Sequence, residues 1–171
     1  MSDHARYEYF RRENRDPDYA AHDDYAGELV LLSGLPGAGK SHLAATRFGD
    51  WPEVSLDRWR ARLGIAAGET PKAVVHAAQE ETRQLLRQKA RFVVNGTNLS
   101  RDLRRQWLEL GDAYHARTRI VYVEVPRARL LRQNRERAAR VPMAALVRML
   151  ERWEVPDATE AHGVELVVAE E

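Results

Sequence analysis

Gly34-Leu35-Pro36-Gly37-Ala38-Gly39-Lys40-Ser41, directly after the apolar run Leu29-Val30-Leu31-Leu32, is the stretch whose reading decides the fold. The eight residues match G-x-x-x-x-G-K-[ST], the phosphate-binding loop or P-loop. Glycines let successive backbone N–H groups turn inward around a phosphate, and the helix that follows aims its positive end at the same point. Lys40 would reach the β- and γ-phosphates of a nucleotide, and Ser41 would offer its hydroxyl to a Mg²⁺ that keeps several waters. His42 follows at the head of the helix. The bland alternative is a chance glycine-rich turn. A buried-looking strand before the motif and Leu43-Ala44-Ala45 after it argue against that.

Working outward, 171 residues of which 44 % are hydrophobic suit one domain with a proper core. The chain has no cysteine, which excludes disulfides and thiolate metal sites and fits a reducing compartment. The N-terminus carries no apolar signal core, and nothing approaches the roughly 18 consecutive apolar residues of a membrane span. The expectation is a cytoplasmic protein with no membrane partner. The net charge of +1 is unevenly spread: residues 1–100 carry 14 Lys+Arg against 14 Asp+Glu, residues 101–152 carry 13 against 6, and residues 153–171 carry 0 against 6. Only Lys40, Lys72 and Lys89 are lysines, so the basic block is all arginine, the side chain that grips phosphate in a bidentate fork. A GC-rich genome would produce the same bias.

Residues 1–27 are polar, acidic and tyrosine-dotted and read as an N-terminal arm without a core element; residues 28–171 read as the domain. Strands are expected at about Glu28–Leu32, Glu53–Leu56, Phe92–Val94, Thr118–Val125 and Val164–Val168. Helices are expected from the P-loop to about Arg47, from Asp57 (as N-cap) to Leu63, and from Pro71 to Ala90. A further helix, capped by Ser100, carries Leu103, Trp107, Leu108 and Leu110 toward the core. Pro126 opens an arginine-rich helix, Val141-Pro142 breaks it, and a last helix runs from Met143 to Trp153. Strands alternating with helices imply an α/β fold: a five-stranded parallel sheet with helices on both faces, the P-loop NTPase (kinase-like) arrangement, with a helical lid. Ligands bind such sheets at the carboxyl ends of the strands. That rule gathers the P-loop, Asp57, Asn95 to Asn98 and the arginines after strand four around one crevice.

No hydrophobic strand here is expected to end in the Asp or Glu that P-loop ATPases use to orient Mg²⁺, since strand three ends in Asn95 and strand four's Glu124 is followed by Val125-Pro126. A small kinase fits better, since phosphoryl transfer mostly needs positioning, charge neutralisation and a base for the acceptor hydroxyl. Asp57 is the candidate base, with helix capping as its competing role.

The P-loop, Asp57-x-x-Arg60, Thr97-Asn98-Leu99 with Arg104-Arg105-x-Trp107, and Asn134-x-x-Arg137 with Val141-Pro142 together resemble the 5′-hydroxyl polynucleotide kinases. The closing pattern Arg152-Trp153-Glu154-Val155-Pro156-x-x-Thr159-Glu160-Ala161-His162 is similar to one branch, the kinase half of bacterial end-healing proteins in which an HD phosphohydrolase domain precedes the kinase. The resemblance implies transfer of the γ-phosphoryl of ATP, or another NTP such as GTP, to the 5′-OH end of RNA or DNA in nucleic-acid repair, with Mg²⁺. It implies that Lys40 neutralises the transferred phosphoryl, Ser41 binds Mg²⁺, Asp57 is general base and Arg60 holds an acceptor phosphate. Arg137 matches a lid arginine on the donor phosphates, and Thr97 and Asn98 fall in the acceptor pocket. It also implies a longer protein with a phosphatase domain; His4, His22, Asp23 and Asp24 do not have the spacing of an HD metal site.

The chain departs from the family in two places. Gly96 stands where the phage member has Asp, and His42 replaces a hydroxyl residue. Arg129, Arg132, Arg135, Arg137 and Arg140 read as a lid over triphosphate or as a solvated helix face. Arg101, Arg104 and Arg105 read as a nucleic-acid track or as flanks of Trp107. Trp51 and Trp59 read as packing or as base-stacking platforms. Two rival functions remain open at this point: a small-molecule kinase acting on an antibiotic, sugar or nucleotide, and a non-catalytic NTP-binding regulatory module.

Overall fold

Alternation along the central strand builds the molecule: Leu29 and Leu31 face one side of a sheet, Val30 and Leu32 the other, and all four are fully buried. A strand buried on both faces reads as a continuous apolar run, which is why this segment lies mid-sheet. The computed structural model describes residues 3–11, 24–66, 69, 71–136 and 140–169. Its strands are β1 (Glu28–Ser33), β2 (Glu53–Ser55), β3 (Arg91–Asn95), β4 (Arg117–Glu124) and β5 (Gly163–Val168), all parallel, in the order β2-β3-β1-β4-β5. The helices are α1 (Asp3–Arg11), α2 (Lys40–Arg47), α3 (Leu56–Arg62), α4 (Lys72–Arg87), α5 (Arg101–Ala113), α6 (Arg127–Glu136) and α7 (Met143–Leu150).

One face of the sheet packs on α4 and α5 through Val74, Ala78, Leu86, Trp107 and Leu108. The other packs on α2 and α6 through Leu43, Ala44 and Leu130. The expected architecture, an α/β fold with a five-stranded parallel sheet covered on both faces, is the one observed. Arg47 grips Glu165 in a fork of 2.6 and 2.9 Å, tying α2 to the edge strand β5.

Four expectations differ in detail. Residues 3–11, read as part of an arm without a core element, form α1, which packs on the domain. Tyr7 is buried and its hydroxyl donates to Asp112 at 2.8 Å, while Arg11 pairs with the same carboxylate at 2.7 Å. The helix shows no apolar period because what it buries is His4, Tyr7 and Glu8. Leu103, expected in the core, is 45 % exposed: α5 turns Arg104, Trp107, Leu108 and Gly111 inward instead. The last helix stops at Leu150 and not Trp153, where Glu154 N–H crosses to the Leu99 carbonyl at 2.9 Å. The helix after β2 begins at Leu56, with Ser55 as its cap. No helix among the described residues is long and apolar enough to cross a membrane.

Candidate active site

The P-loop leaves the carboxyl end of β1 at Gly34, whose φ of 145° and surroundings both demand glycine. A Cβ there would lie 2.3 Å from the Val123 carbonyl oxygen of β4. The Gly34 N–H donates to the Thr97 carbonyl at 2.9 Å, so the loop's entry is fixed to the ends of both neighbouring strands. Gly37 and Gly39, at φ 88° and 95°, take the left-handed conformation that turns the loop into α2. Leu35 and Ala38 are buried in the core beside α2 and anchor the loop from beneath. Lys40 is 8 % exposed and donates to the Gly34 and Leu35 carbonyls at 2.8 and 2.9 Å. The ammonium is thus held inside the cradle that its own loop forms.

Around the loop opens a cleft of about 310 Å³. Pro36, Gly37, Gly39, Lys40, Ser41 and His42 form its floor. Asp57 and Arg60 enter from α3, Asn95, Gly96 and Thr97 from the end of β3, and Gln133 and Glu136 from α6. Val141 and Met149 complete the wall. Of the groups expected around one crevice, the P-loop, Asp57 and Asn95 to Thr97 line the cleft, whereas Asn98 and, among the described residues, the arginines after β4 do not.

The capping role weighed for Asp57 is taken by another residue. Ser55 is the N-cap of α3, its Oγ accepting from the Arg58 N–H at 3.3 Å, so the Asp57 carboxylate is not needed there. It lies within the first turn, is 62 % exposed, and pairs with the Arg60 guanidinium one turn on. Arg60 is 8 % exposed and also donates from Nε to the Glu69 carbonyl at 2.5 Å.

Thr97 and Asn98 part company. Thr97 lines the cleft, whereas Asn98 lies behind it, 4 % exposed and at φ 45°. Its Nδ2 donates to the Leu32 carbonyl at 2.7 Å, its Oδ1 accepts from Trp107 Nε1 at 3.2 Å, and its carbonyl accepts from Ser33 Oγ at 2.9 Å. These bonds hold the β3 turn against β1. Gly96 fits tightly: an added Cβ would lie 3.2 Å from both Asn98 Nδ2 and Leu56 Cδ1.

The arginines divide. Arg104 is fully buried and forks onto Glu160 at 2.7 and 2.8 Å, with further bonds to the Leu99 and Glu154 carbonyls at 3.1 and 2.7 Å. It cannot serve a nucleic-acid track. Arg101 is paired with Asp157 at 2.5 Å, and Arg105 with Asp102 at 3.1 Å. Arg129, Arg132, Arg135 and Arg140 are exposed, and α6 turns Gln133 and Glu136 to the cleft instead. Arg137 lies outside the described residues. Trp59 donates to Glu81 at 2.7 Å and packs against the core, and Trp51 packs beside Phe48, so both act as packing.

One more cluster has the composition of a metal site: the ligand atoms of His4, Glu8 and His162, all buried, lie within 4.8 Å of one another. Its hydrogen bonding excludes that role for His162. The Thr118 backbone N–H donates to His162 Nδ1 at 3.0 Å, so a neutral ring carries its proton on Nε2, the atom 3.5 Å from Glu8 Oε1. Burial, reinforced by the charge of His4, pushes the His162 pKa down to about 4 and keeps the ring neutral. The cluster clasps α1 to the start of β5.

Sequence reasoning did not find Glu53. Its Oε1 accepts from Asn95 Nδ2 at 2.8 Å, and the same nitrogen lies 3.2 Å from Ser41 Oγ. Asn95 was visible as a strand end; nothing in the pattern marked a carboxylate at the opening of the neighbouring strand. Gln133, Glu136 and Met149 were missed as well, because helical periodicity does not say which polar face meets a cleft. Ser41 at the mouth of the loop, backed by an amide and a carboxylate, could hold a hard cation such as Mg²⁺ through its hydroxyl oxygen.

Solved structures share this arrangement. A kinase candidate from Chloroflexus aurantiacus matches with TM-score 0.64 at 16 % identity, over 85 % of this chain and 86 % of that one. The structure of the Pnkp1/Rnl/Hen1 RNA repair complex matches with TM-score 0.62 at 19 % identity, over 78 % of this chain and 46 % of the other. The Mycobacterium tuberculosis APS kinase CysC, in complex with AMPPNP and APS, matches with TM-score 0.56 at 14 % identity, over 83 % and 89 %. These likenesses establish the fold of the P-loop kinases. No curated protein matches. A family profile described as an AAA domain covers residues 29–156, more than half the length, and with the P-loop and parallel sheet it spans, the chain belongs to the AAA_33 family.

Proposed function

We propose that this protein is an NTP- and Mg²⁺-dependent kinase that transfers the γ-phosphoryl of ATP or GTP to the 5′-OH end of RNA or DNA in end repair. The observation that carries the proposal is that Asp57, released from capping by Ser55, lines one cleft with Lys40, Ser41 and Arg60. A carboxylate beside an acceptor hydroxyl takes its proton as the phosphoryl leaves the donor. Lys40 offers fixed positive charge to the transferred group, and Ser41 would hold a Mg²⁺ that would neutralise charge developing on the donor phosphates. Backbone N–H groups of Gly37 and of Gly39 to His42 cradle the donor phosphates. Arg60 takes an acceptor phosphate, Thr97 lines the acceptor's path, and Asn98 holds that turn in place. Arg137 is the proposed lid arginine. In this reading residues 28–171 are the kinase domain, on which α1 docks, and a phosphatase domain in a longer protein would complete end healing. The short coverage of the Pnkp1 chain, 46 %, is compatible with that.

The test is transfer of labelled γ-phosphate to a 5′-OH oligonucleotide. The wild-type protein labels the end. Asp57→Asn keeps nucleotide binding and loses about 10²- to 10⁴-fold in transfer. Wild-type turnover in that variant refutes the base, and an unlabelled oligonucleotide with the wild-type protein refutes the acceptor.

A second reading has its own observation. The neutralisation of Arg101, Arg104 and Arg105 removes the basic track expected for a nucleic-acid strand, which favours a small-molecule acceptor. Salt separates the two: an acceptor held through several phosphates loses affinity steeply as ionic strength rises, and an uncharged alcohol does not.

A further inference from the structure

Asn95 closes β3 and Glu53 opens the neighbouring strand β2, so that the two side chains, with Ser41 at the head of α2, meet below the cleft. The contact orders three groups from separate elements: Glu53 Oε1 to Asn95 Nδ2 at 2.8 Å, and Asn95 Nδ2 to Ser41 Oγ at 3.2 Å. Asn95 itself is only 8 % exposed.

The chemistry of the donors makes this a directional chain. An ionised carboxylate only accepts, whereas the two ends of an amide differ, the nitrogen carrying two N–H donors and the oxygen none. The atom facing Glu53 is therefore the nitrogen, and its two protons are both assigned, one to Glu53 and one to Ser41 Oγ. Glu53 thereby decides which end of the amide the serine meets. With Asn95 donating, Ser41 cannot give its own proton to Asn95, so that proton and one lone pair are left for the cleft. A strand-end carboxylate would accept the serine proton and bring a full negative charge into direct contact. Here the charge stands one amide further back.

We propose that Glu53 is a positioning residue for the divalent cation of the Mg²⁺–nucleotide: acting through Asn95, it orients the Ser41 hydroxyl and supplies the negative charge that the end of β3 lacks. The inference rests on the P-loop binding a Mg²⁺–nucleotide and is independent of the acceptor. A purely structural staple between β2 and β3 would use the same hydrogen bonds but would leave the cation's contribution to nucleotide binding unchanged.

The experiment is titration calorimetry of ATP into the full chain, once in EDTA and once in Mg²⁺, the ratio of the two dissociation constants being the readout. Glu53→Gln, which keeps shape and removes charge, lowers that ratio by about 10-fold, the lower end of what outer-shell partners of metal ligands contribute, while the EDTA value stays put. Asn95→Asp acts in the opposite direction. It places a carboxylate against Ser41 and beside Glu53, two like charges relieved by a cation, and the ratio rises. A wild-type ratio in folded Glu53→Gln overturns the proposal, as does an unchanged ratio in Asn95→Asp. Should Glu53→Gln fail to fold, the Asn95→Asp result decides alone. A protein that passes this test but leaves a 5′-OH oligonucleotide unlabelled refutes the acceptor reading only; one that labels it with both ratios unchanged refutes Glu53 only.

Discussion

Arg104 and Arg60 are both buried and are paired in opposite ways. Arg104, 0 % exposed, has both prongs of its fork on Glu160 and further donors on carbonyls of the β3 turn and the segment after α7. Its partners are buried with it: the Glu160 side chain is 4 % exposed. Arg60, 8 % exposed, sits in the cleft wall and pairs with Asp57, whose side chain is 62 % exposed. Burial alone therefore does not separate a guanidinium locked in the interior from one that faces a cleft. What separates them is whether the partner is sealed in with the charge or open to the cleft.

The comparison can be broken at its structural end, where the largest effect is expected. Arg104→Ala leaves Glu160 buried without its cation and costs about 3–5 kcal/mol of stability, read from urea unfolding, while the folded fraction keeps its turnover. A variant that loses turnover at unchanged stability would move Arg104 into the site. At the other end, Arg60→Ala removes charged hydrogen bonds worth about 1.5–3 kcal/mol and lowers kcat/KM for a 5′-phosphodiester-bearing acceptor by about 10- to 100-fold, with ATP affinity unchanged. An equal loss for an uncharged alcohol would show that Arg60 serves Asp57 and not a phosphate. The smallest effect sharpens the assignment of Asp57. Ser55→Ala, which removes the cap of α3, lowers stability by about 1 kcal/mol without altering transfer by the folded protein. A loss of transfer beyond the loss of folded protein would tie the cap to the base.

How far the sequence could be read follows from the range over which each interaction acts. The apolar run Leu29 to Leu32 and the order of the P-loop glycines are local and marked a buried strand and the floor of the cleft, and the alternation of strands with helices along the chain implied the parallel sheet. Ser100 was legible as a cap for the same reason, and its Oγ accepts from the Leu103 N–H as expected. Ser55 and Asp57 are both good caps two residues apart. The choice between them is made by the pairing of Ser55 with Asn95 in the sheet, which leaves Leu56 as the first helical residue. Arg104 was ambiguous because its counter-ion lies 56 residues away. Helix α1 was invisible to a search for apolar period because it docks through a tyrosine hydroxyl, a histidine and a carboxylate. The Glu53–Asn95 contact was hidden similarly, as a link between adjacent strands that are far apart in the chain.

The contact of Gly34 with the ends of two strands has one more consequence. With the Val123 carbonyl against its Cα and its N–H bound to Thr97, the entry to the phosphate cradle cannot shift without dragging β4 and the β3 turn along. The donor side of the cleft therefore behaves as an anvil. Adjustment to substrates of different bulk falls to α6, α7 and the side chains of Gln133, Glu136 and Met149 that they bring to the opposite wall.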